Sequence, residues 1–265
     1  VQLRIAQFQF LNSLQNRENL AALYIQGKLN NMQTHLMRRL KRKKDKLIST
    51  AILQNQAILD KIENSSPNLD TLRGYEGIAS KNYFSAFPAL IFNPQFTFNG
   101  RNRRPPKDEV NALLSLGYTF LMNQVMGATY ICGLDPYYGA LHNLAYGRQS
   151  LALDLMEEFR PLVDNLVINL INRHEIRPEH FVYNQIPDDE TDEEDLDEST
   201  KMLPVSMQQE GMKILITAFA RMVNSRFNLE KPPGSWTLKD IFLLQARKLA
   251  THCEGKEFYT PFHWR

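Results

Sequence analysis

The stretch "LAALYIQGKLNNMQTHLMRRLKRKKDKL", residues 20–47, decides the fold class. Leu29, Met32, Leu36 and Leu40 recur at spacings of three and four, which puts them on one stripe of a long α-helix. The same period continues along the chain. It predicts helices near 70–86 and over 108–132, with a turn at 133–139 after the second. A further helix starts from Ser150 as N-cap of "LALDLMEEFR", and Pro161 is expected to kink or restart it on the way to about Asn172. Two more helices are expected over 205–228 and 237–252, separated by "KPPG". Alternating strand patterns are short and few, so the fold class is all-α, without internal repeats.

The 265 residues are 43% apolar, enough for a proper core, and the expected organisation is one helical domain over 1–265. Cys132 and Cys253 form no CxxC pair, which excludes a disulfide scaffold or zinc ribbon and suits a reducing, cytoplasmic setting. No apolar run approaches the roughly 18 residues of a membrane span. The opening "VQLRIAQFQF" reads as the interior of a longer polypeptide.

The net charge of +2 conceals an asymmetry. "PDDETDEEDLDE", 187–198, carries nine acids and no base, and the expectation is a solvated, disordered acidic loop over 187–200. Setting the nine aside leaves 20 acids against 31 bases, about +11 for the rest, which points to a polyanionic partner.

Many chemistries are excluded by pattern. There is no GxG, GxxxxGK[ST], HExxH or GxSxG, and no histidine follows a glutamate by three residues. Three segments instead carry polar residues in apolar surroundings. One is "RGYEGIASKNYFSAFPALI", with Glu76, Ser80, Tyr83 and Phe84 on one expected helix; another is "GLDPYYGALH", ending in His142. The third is "SLALDLMEEFRP", where Asp154 and Glu157 are three apart and are expected to share a helix face. Two or three carboxylates with an imidazole suit Mg²⁺ or Mn²⁺. The same residues also fit a surface acid, a solvated helix face and a hydrogen-bonded core histidine.

Beyond these features, "GYEGIASKNYFSAF", "RRPPKDEVNALLSLGYTFL", "GLDPYYGALH" and "GRQSLALDLMEEFRPLVD" follow one another in this order. Together with "IQGKLNNMQTHLMR" upstream and "EGMKILITAFARMV" late in the chain, they resemble the CRISPR-associated spacer-acquisition integrase over about residues 1–260. The resemblance implies one Mg²⁺ or Mn²⁺ ion held by Glu76, His142 and Glu157, with Asp154 beside it as a direct ligand, a water ligand or a base. It implies a phosphoryl transfer in which the 3′-hydroxyl of a short DNA duplex attacks the edge of a CRISPR repeat. It also implies a homodimer working with a small ferredoxin-like partner, and in some relatives a fused reverse transcriptase. The β-rich domain that usually opens the family is expected to be missing here.

DNA would be held through phosphates by cations. The candidates are Arg101, Arg103, Arg104 and Lys107 on the Pro-rich crossing, Arg148, and Arg38 and Arg39, which open a run of seven bases in "RRLKRKKDK". Tyr83, Tyr137 and Tyr138 are candidates for positioning a strand end, or else for packing. The competing function is a catalytically silent helical DNA-binding subunit of the same kind of complex.

Overall fold

The computed structural model describes residues 1–41, 44–102, 105–183, 205–230 and 232–264. Nine α-helices dominate the described residues: α1 (Gln2–Asn12), α2 (Leu14–Leu40), α3 (Lys46–Asn64), α4 (Leu69–Ser85), α5 (Glu109–Ile131), α6 (Ser150–Met156), α7 (Arg160–Asn172), α8 (Gln209–Val223) and α9 (Leu238–Cys253). None of them is long and apolar enough to cross a membrane.

Most starts follow local chemistry. Asp45, Asn68 and Asp108 cap α3, α4 and α5 by accepting hydrogen bonds from first-turn N–H groups. Thr237 and Asp240 form a reciprocal capping box at α9. Ser13 divides the N-terminal stretch by taking an extended conformation and capping α2 through its hydroxyl.

Helix α2 is one axis of the molecule. Leu29, Met32 and Leu36 are buried as the stripe requires, joined by Leu20, Tyr24 and Ile25. Its neighbours are α3 and α4 on one side and α7 with the turn before it on the other. The second axis, α5, packs against α6, α7 and α9. The site described below lies where α2, α4 and the α6–α7 junction meet.

The all-α expectation needs amending, because two short antiparallel ribbons are present. In the first, β1 (Phe181–Tyr183) pairs with β2 (Val205–Met207), Phe181 opposite Met207. In the second, β3 (Arg226–Glu230) pairs with β4 (Pro233–Thr237), Glu230 opposite Pro233. The expected helix over 205–228 therefore shrinks to α8. "RFNLE" exposes Arg226, Asn228 and Glu230 and half-buries Phe227 and Leu229, a two-residue period that suits a strand. Pro233 and Gly234 of the "KPPG" segment belong to this hairpin and not to a link between two helices. The acidic run at 187–200 lies outside the described residues.

Candidate active site

Glu76 enters from the middle of α4 and Glu157 from the α6–α7 junction. That junction is not one continuous helix. Pro161 has no N–H to offer the carbonyl of Glu157, and the chain passes through a 3₁₀ turn, Glu157–Phe159, before α7 starts with Pro161 in its first turn. Ser150 is the first residue of α6 and does not cap it; its hydroxyl donates to the carbonyl of Asn143 (3.1 Å). The free N–H groups of Leu151 and Ala152 find the carbonyl of Pro136 instead (2.9 and 3.4 Å).

The two glutamates converge on Lys28 of α2. Lys28 Nζ contacts Glu76 Oε1 and lies 2.6 Å from Glu157 Oε2. Arg160 Nε lies 2.9 Å from the other oxygen of Glu157, and the Ser80 hydroxyl donates to Glu76 Oε1 (2.9 Å). Lys28 and Glu157 are buried, whereas the Glu76 side chain is 24% exposed. Burial pushes the Glu157 carboxyl up, but the charges of Arg160 and Lys28 outweigh it and hold the group at about 2. Glu76 is also lowered, its burial overcome mainly by Lys28. Lys28 is in turn held charged: its burial is outweighed by the two carboxylates.

"GLDPYYGALH" delivers His142. Gly133 has φ +80° and ends α5, with its own N–H bonded to Tyr130 O (2.9 Å) and that of Leu134 to Thr129 O (3.0 Å), a Schellman arrangement. Side chains from three helices then pin the loop. Gln7 of α1 bonds the backbone of Asp135 and Tyr138 (2.8–3.0 Å), Arg17 of α2 reaches Ala140 O (3.3 Å), and Arg73 of α4 reaches Leu141 O (2.9 Å).

Asp154 closes the clamp from α6. It is fully buried, and its oxygens accept the backbone N–H groups of Ala140 (2.6 Å), Leu141 (3.0 Å) and His142 (2.9 Å). Its Oδ1 also lies 2.6 Å from His142 Nδ1. A carboxylate only accepts, so the ring donates from Nδ1 and Nε2 is left for another partner. Asp154 thus orients the imidazole; its oxygens are occupied, which departs from its expected place as a ligand or base. Nor does it share a face with Glu157, since the 3₁₀ turn aims the second carboxylate at α2.

Gly139 exists because of this clamp. A Cβ there would lie 2.5 Å from Asp154 Oδ2 and 2.7–2.8 Å from the backbone of Ser150 and Leu151. Gly139→Ala is expected to lower stability by about 3 kcal/mol through overpacking against backbone that cannot retreat, as read in thermal unfolding.

His142 and Glu76 share a cavity of about 150 Å³ with Arg73, Leu141, Asn143 and the exposed Arg148. Among the described residues no three His, Cys, Asp or Glu side chains form a ready cation cage; the acids that converge do so on Lys28.

The remaining candidates separate by burial. Arg38 is exposed with its guanidinium over the Trp264 ring, while Arg39, one residue on, is buried and donates to Asn169 Oδ1 (2.7 Å). Arg39 therefore braces α2 against α7 and is not offered to a ligand. Arg101 is half-buried, donating to Asn111 Oδ1 (2.7 Å) and Ser115 Oγ (3.2 Å). Lys107 is exposed; Arg103 and Arg104 lie outside the described residues. Tyr83 is fully buried, so it belongs to the core and cannot touch a strand end: its hydroxyl bonds Asp164 Oδ2 (3.0 Å) and His35 Nδ1 (2.7 Å). Tyr137 is exposed, and Tyr138 donates to Asn12 Oδ1 (2.7 Å).

Sequence reasoning missed Lys28 and Arg160 as members of the site. The signal was present in "KLNN". Asn31, one turn beyond Lys28, donates to the carbonyls of Glu158 (2.7 Å) and Phe262 (2.8 Å). One face of α2 thus grips both glutamates of the 157–158 pair, Glu157 by its side chain and Glu158 by its backbone.

Two acids from separate helices on one buried cation, beside an imidazole braced by a third acid, define a carboxylate–histidine site on a helical scaffold. The chain belongs to the CRISPR associated protein Cas1 family, whose model matches residues 1–221. It is 34% identical over 270 residues to CRISPR-associated endonuclease Cas1 1 of Chlorobaculum tepidum, covering 99% of this chain and 74% of that one. It is also 34% identical over 278 residues to the Cas1 endonuclease of Leptospira interrogans, with 99% and 100% covered. Among solved structures, a Cas1 protein from Thermotoga maritima superposes with a TM-score of 0.77 at 26% identity, over 96% of this chain and 70% of that one. A casposase bound to integration product shares the fold at a TM-score of 0.83 and 22% identity, covering 99% and 71%. So does a chain of a Cas6-RT-Cas1–Cas2 complex, at 0.82 and 21%, covering 100% of this chain and 27% of that one.

Proposed function

We propose that this chain carries the catalysis of a metal-dependent DNA integrase and endonuclease of CRISPR adaptation, joining the 3′-hydroxyl ends of short foreign DNA to the repeat boundary of a CRISPR array. Family membership and the endonuclease relatives support the reaction class. The observation that carries the residue assignment is the convergence of Glu76 and Glu157 on a single cation, with a braced His142 alongside.

The donor set fits Mg²⁺ or Mn²⁺. Both carboxylates are held ionised, they already meet at one positive charge, and His142 has a ring nitrogen to spare. Glu76, His142 and Glu157 would hold the ion, which when bound supplies neutralising charge to a phosphodiester under attack. Asp154 keeps the imidazole in one orientation and one tautomer. Arg160 holds one oxygen of Glu157 while Lys28 holds the other. The exposed Arg148 borders the cavity, where it can meet a DNA phosphate, and Lys107 and Arg38 are further exposed cations that a DNA backbone could reach.

The partners of this reading are double-stranded DNA, a second copy of the chain as a homodimer, a small ferredoxin-like adaptation protein and a fused or associated reverse transcriptase. The reverse transcriptase is in keeping with the Cas6-RT-Cas1–Cas2 complex in which one fold neighbour was solved.

The test is strand transfer of a short duplex into repeat DNA with Mn²⁺ or Mg²⁺. Glu76→Ala or His142→Ala is expected to reduce joined product by about 10³-fold while leaving filter-bound DNA nearly unchanged. Full activity in both variants would remove the residue assignment. An unmodified chain that binds DNA but never joins it would favour the silent-subunit reading.

A further inference from the structure

Lys28 has no evident task in the chemistry described so far. The residue is buried, its side chain 3% exposed. An unpaired buried ammonium is costly enough that it normally deprotonates or is placed opposite an acid. Here it is placed opposite two acids, one from α4 and one from the α6–α7 junction. With Arg160 on the far oxygen of Glu157, the four side chains balance at two positive and two negative charges. A core ion pair needs only one partner; this lysine contacts both acids whose lone pairs a divalent cation would need.

We propose that Lys28 is a built-in counter-ion: its ammonium holds the Glu76 and Glu157 carboxylates together and competes with a divalent cation for them. The inference rests on the reading of those acids as cation ligands. An ammonium and a divalent cation on the same carboxylates would bring like charges within a few ångströms of each other in a desolvated place, so the two compete. Metal entry therefore requires the ammonium to swing aside. A lysine is suited to this, as a compact charge on a flexible stem, where a guanidinium would hold its fork in place. The consequence is a site that stays assembled without metal and binds it more weakly than its donor set allows.

The experiment measures Mn²⁺ binding, by the electron paramagnetic resonance signal of the free ion, and the thermal midpoint with and without Mn²⁺. The proteins are the unmodified chain, Lys28→Gln, Lys28→Arg and Glu157→Gln. Lys28→Gln is expected to bind Mn²⁺ at least ~10-fold more tightly than the unmodified chain, since its ligands are no longer occupied. Its midpoint should fall in metal-free buffer and recover as Mn²⁺ is added, whereas the unmodified chain should shift less. Lys28→Arg keeps the charge and should bind no more tightly than the unmodified chain. If Lys28→Gln folds only when Mn²⁺ is present, that dependence is the expected effect in its strongest form; failure to fold at saturating Mn²⁺ overturns the proposal. Unchanged or weaker Mn²⁺ binding by Lys28→Gln, together with loss of binding by Glu157→Gln, overturns the competition and leaves the ligand assignment standing. Unaltered binding by Glu157→Gln removes the ligand assignment itself.

Discussion

Asp154→Ala is expected to lower the unfolding free energy by about 4 kcal/mol and to cut strand transfer by about 100-fold in whatever protein remains folded. The two effects have one source. Asp154 is fully buried and is the acceptor for three successive backbone N–H groups, at Ala140, Leu141 and His142. Alanine leaves all three without a partner in a place water does not reach, at roughly 1–3 kcal/mol for each orphaned donor before relaxation. It also releases the His142 ring, whose Nδ1 has its partner in the same carboxylate. A ring free to rotate spends little time with Nε2 directed at the cavity, and loss of such a brace commonly costs 10–100-fold in metal affinity or activity. Asp154→Asn separates the contributions, because its amide oxygen still accepts from the N–H groups of Ala140 and Leu141 while its NH₂ cannot accept from the N–H and Nδ1–H of His142. It should recover much of the stability and little of the activity. Denaturant unfolding and the strand-transfer assay read these independently. An Asp154→Ala protein within 1 kcal/mol of the parent would mean that the 139–142 loop is held by other contacts.

Asp154 also shows what a sequence conveys and what it withholds. Its spacing to Glu157 was visible, and on a continuous helix would have placed both carboxylates on one face. The break that separates them comes from Pro161, also visible, but where the helix resumes depends on packing. The long helices were legible because Leu29, Met32 and Leu36 repeat with the helical period, whereas the break between α2 and α3, where Asp45 caps the second helix, was not read from the same stretch. The ribbons were not, since three to five residues of alternation carry little pattern and β1 meets β2 only through tertiary placement. Arg38 and Arg39 look alike in a run of bases. A turn of about 100° between neighbours leaves one in solvent and the other against Asn169. Lys28 was hidden for a different reason: its partners lie 48 and 129 positions away, and in a half-polar helix a lysine reads as surface. Glu76 and His142 became candidates only through family resemblance. The residues themselves permitted a surface acid and a core histidine equally.

The second large effect concerns pH and lies outside the site, at Asp164 of α7. Its Oδ1 accepts from the Tyr118 hydroxyl and its Oδ2 from that of Tyr83 (3.0 Å). When Asp164 is ionised it can only accept, so Tyr83 gives it its one proton and His35 Nδ1, 2.7 Å away, is the donor in its own contact with Tyr83. Burial raises the Asp164 carboxyl to about 6, although both tyrosines and the charges of Arg160 and Arg101 oppose it. In the unfolded chain the group titrates near 3.8. Between those values the native state keeps a proton that the unfolded state has released. Stability contributed by this group is therefore full below about 3.8 and is lost as pH rises through about 6. At 1.36 kcal/mol per unit, the loss between pH 4 and pH 7 is roughly 2–3 kcal/mol. His35 works in the opposite direction: burial and the nearby Arg39 and Arg38 lower it to about 3, so it adds stability as pH rises towards 6.5. The unmodified chain alone would show a shallow sum of the two. Asp164→Asn isolates the first term, because asparagine keeps the shape of the site and does not titrate. Its stability relative to the unmodified chain should rise by roughly 2–3 kcal/mol from pH 4 to pH 7, whatever its absolute value at either end. Parallel pH profiles for the two proteins would show that Asp164 is ionised in the folded core throughout this range, held there by its tyrosines and arginines against the cost of burial.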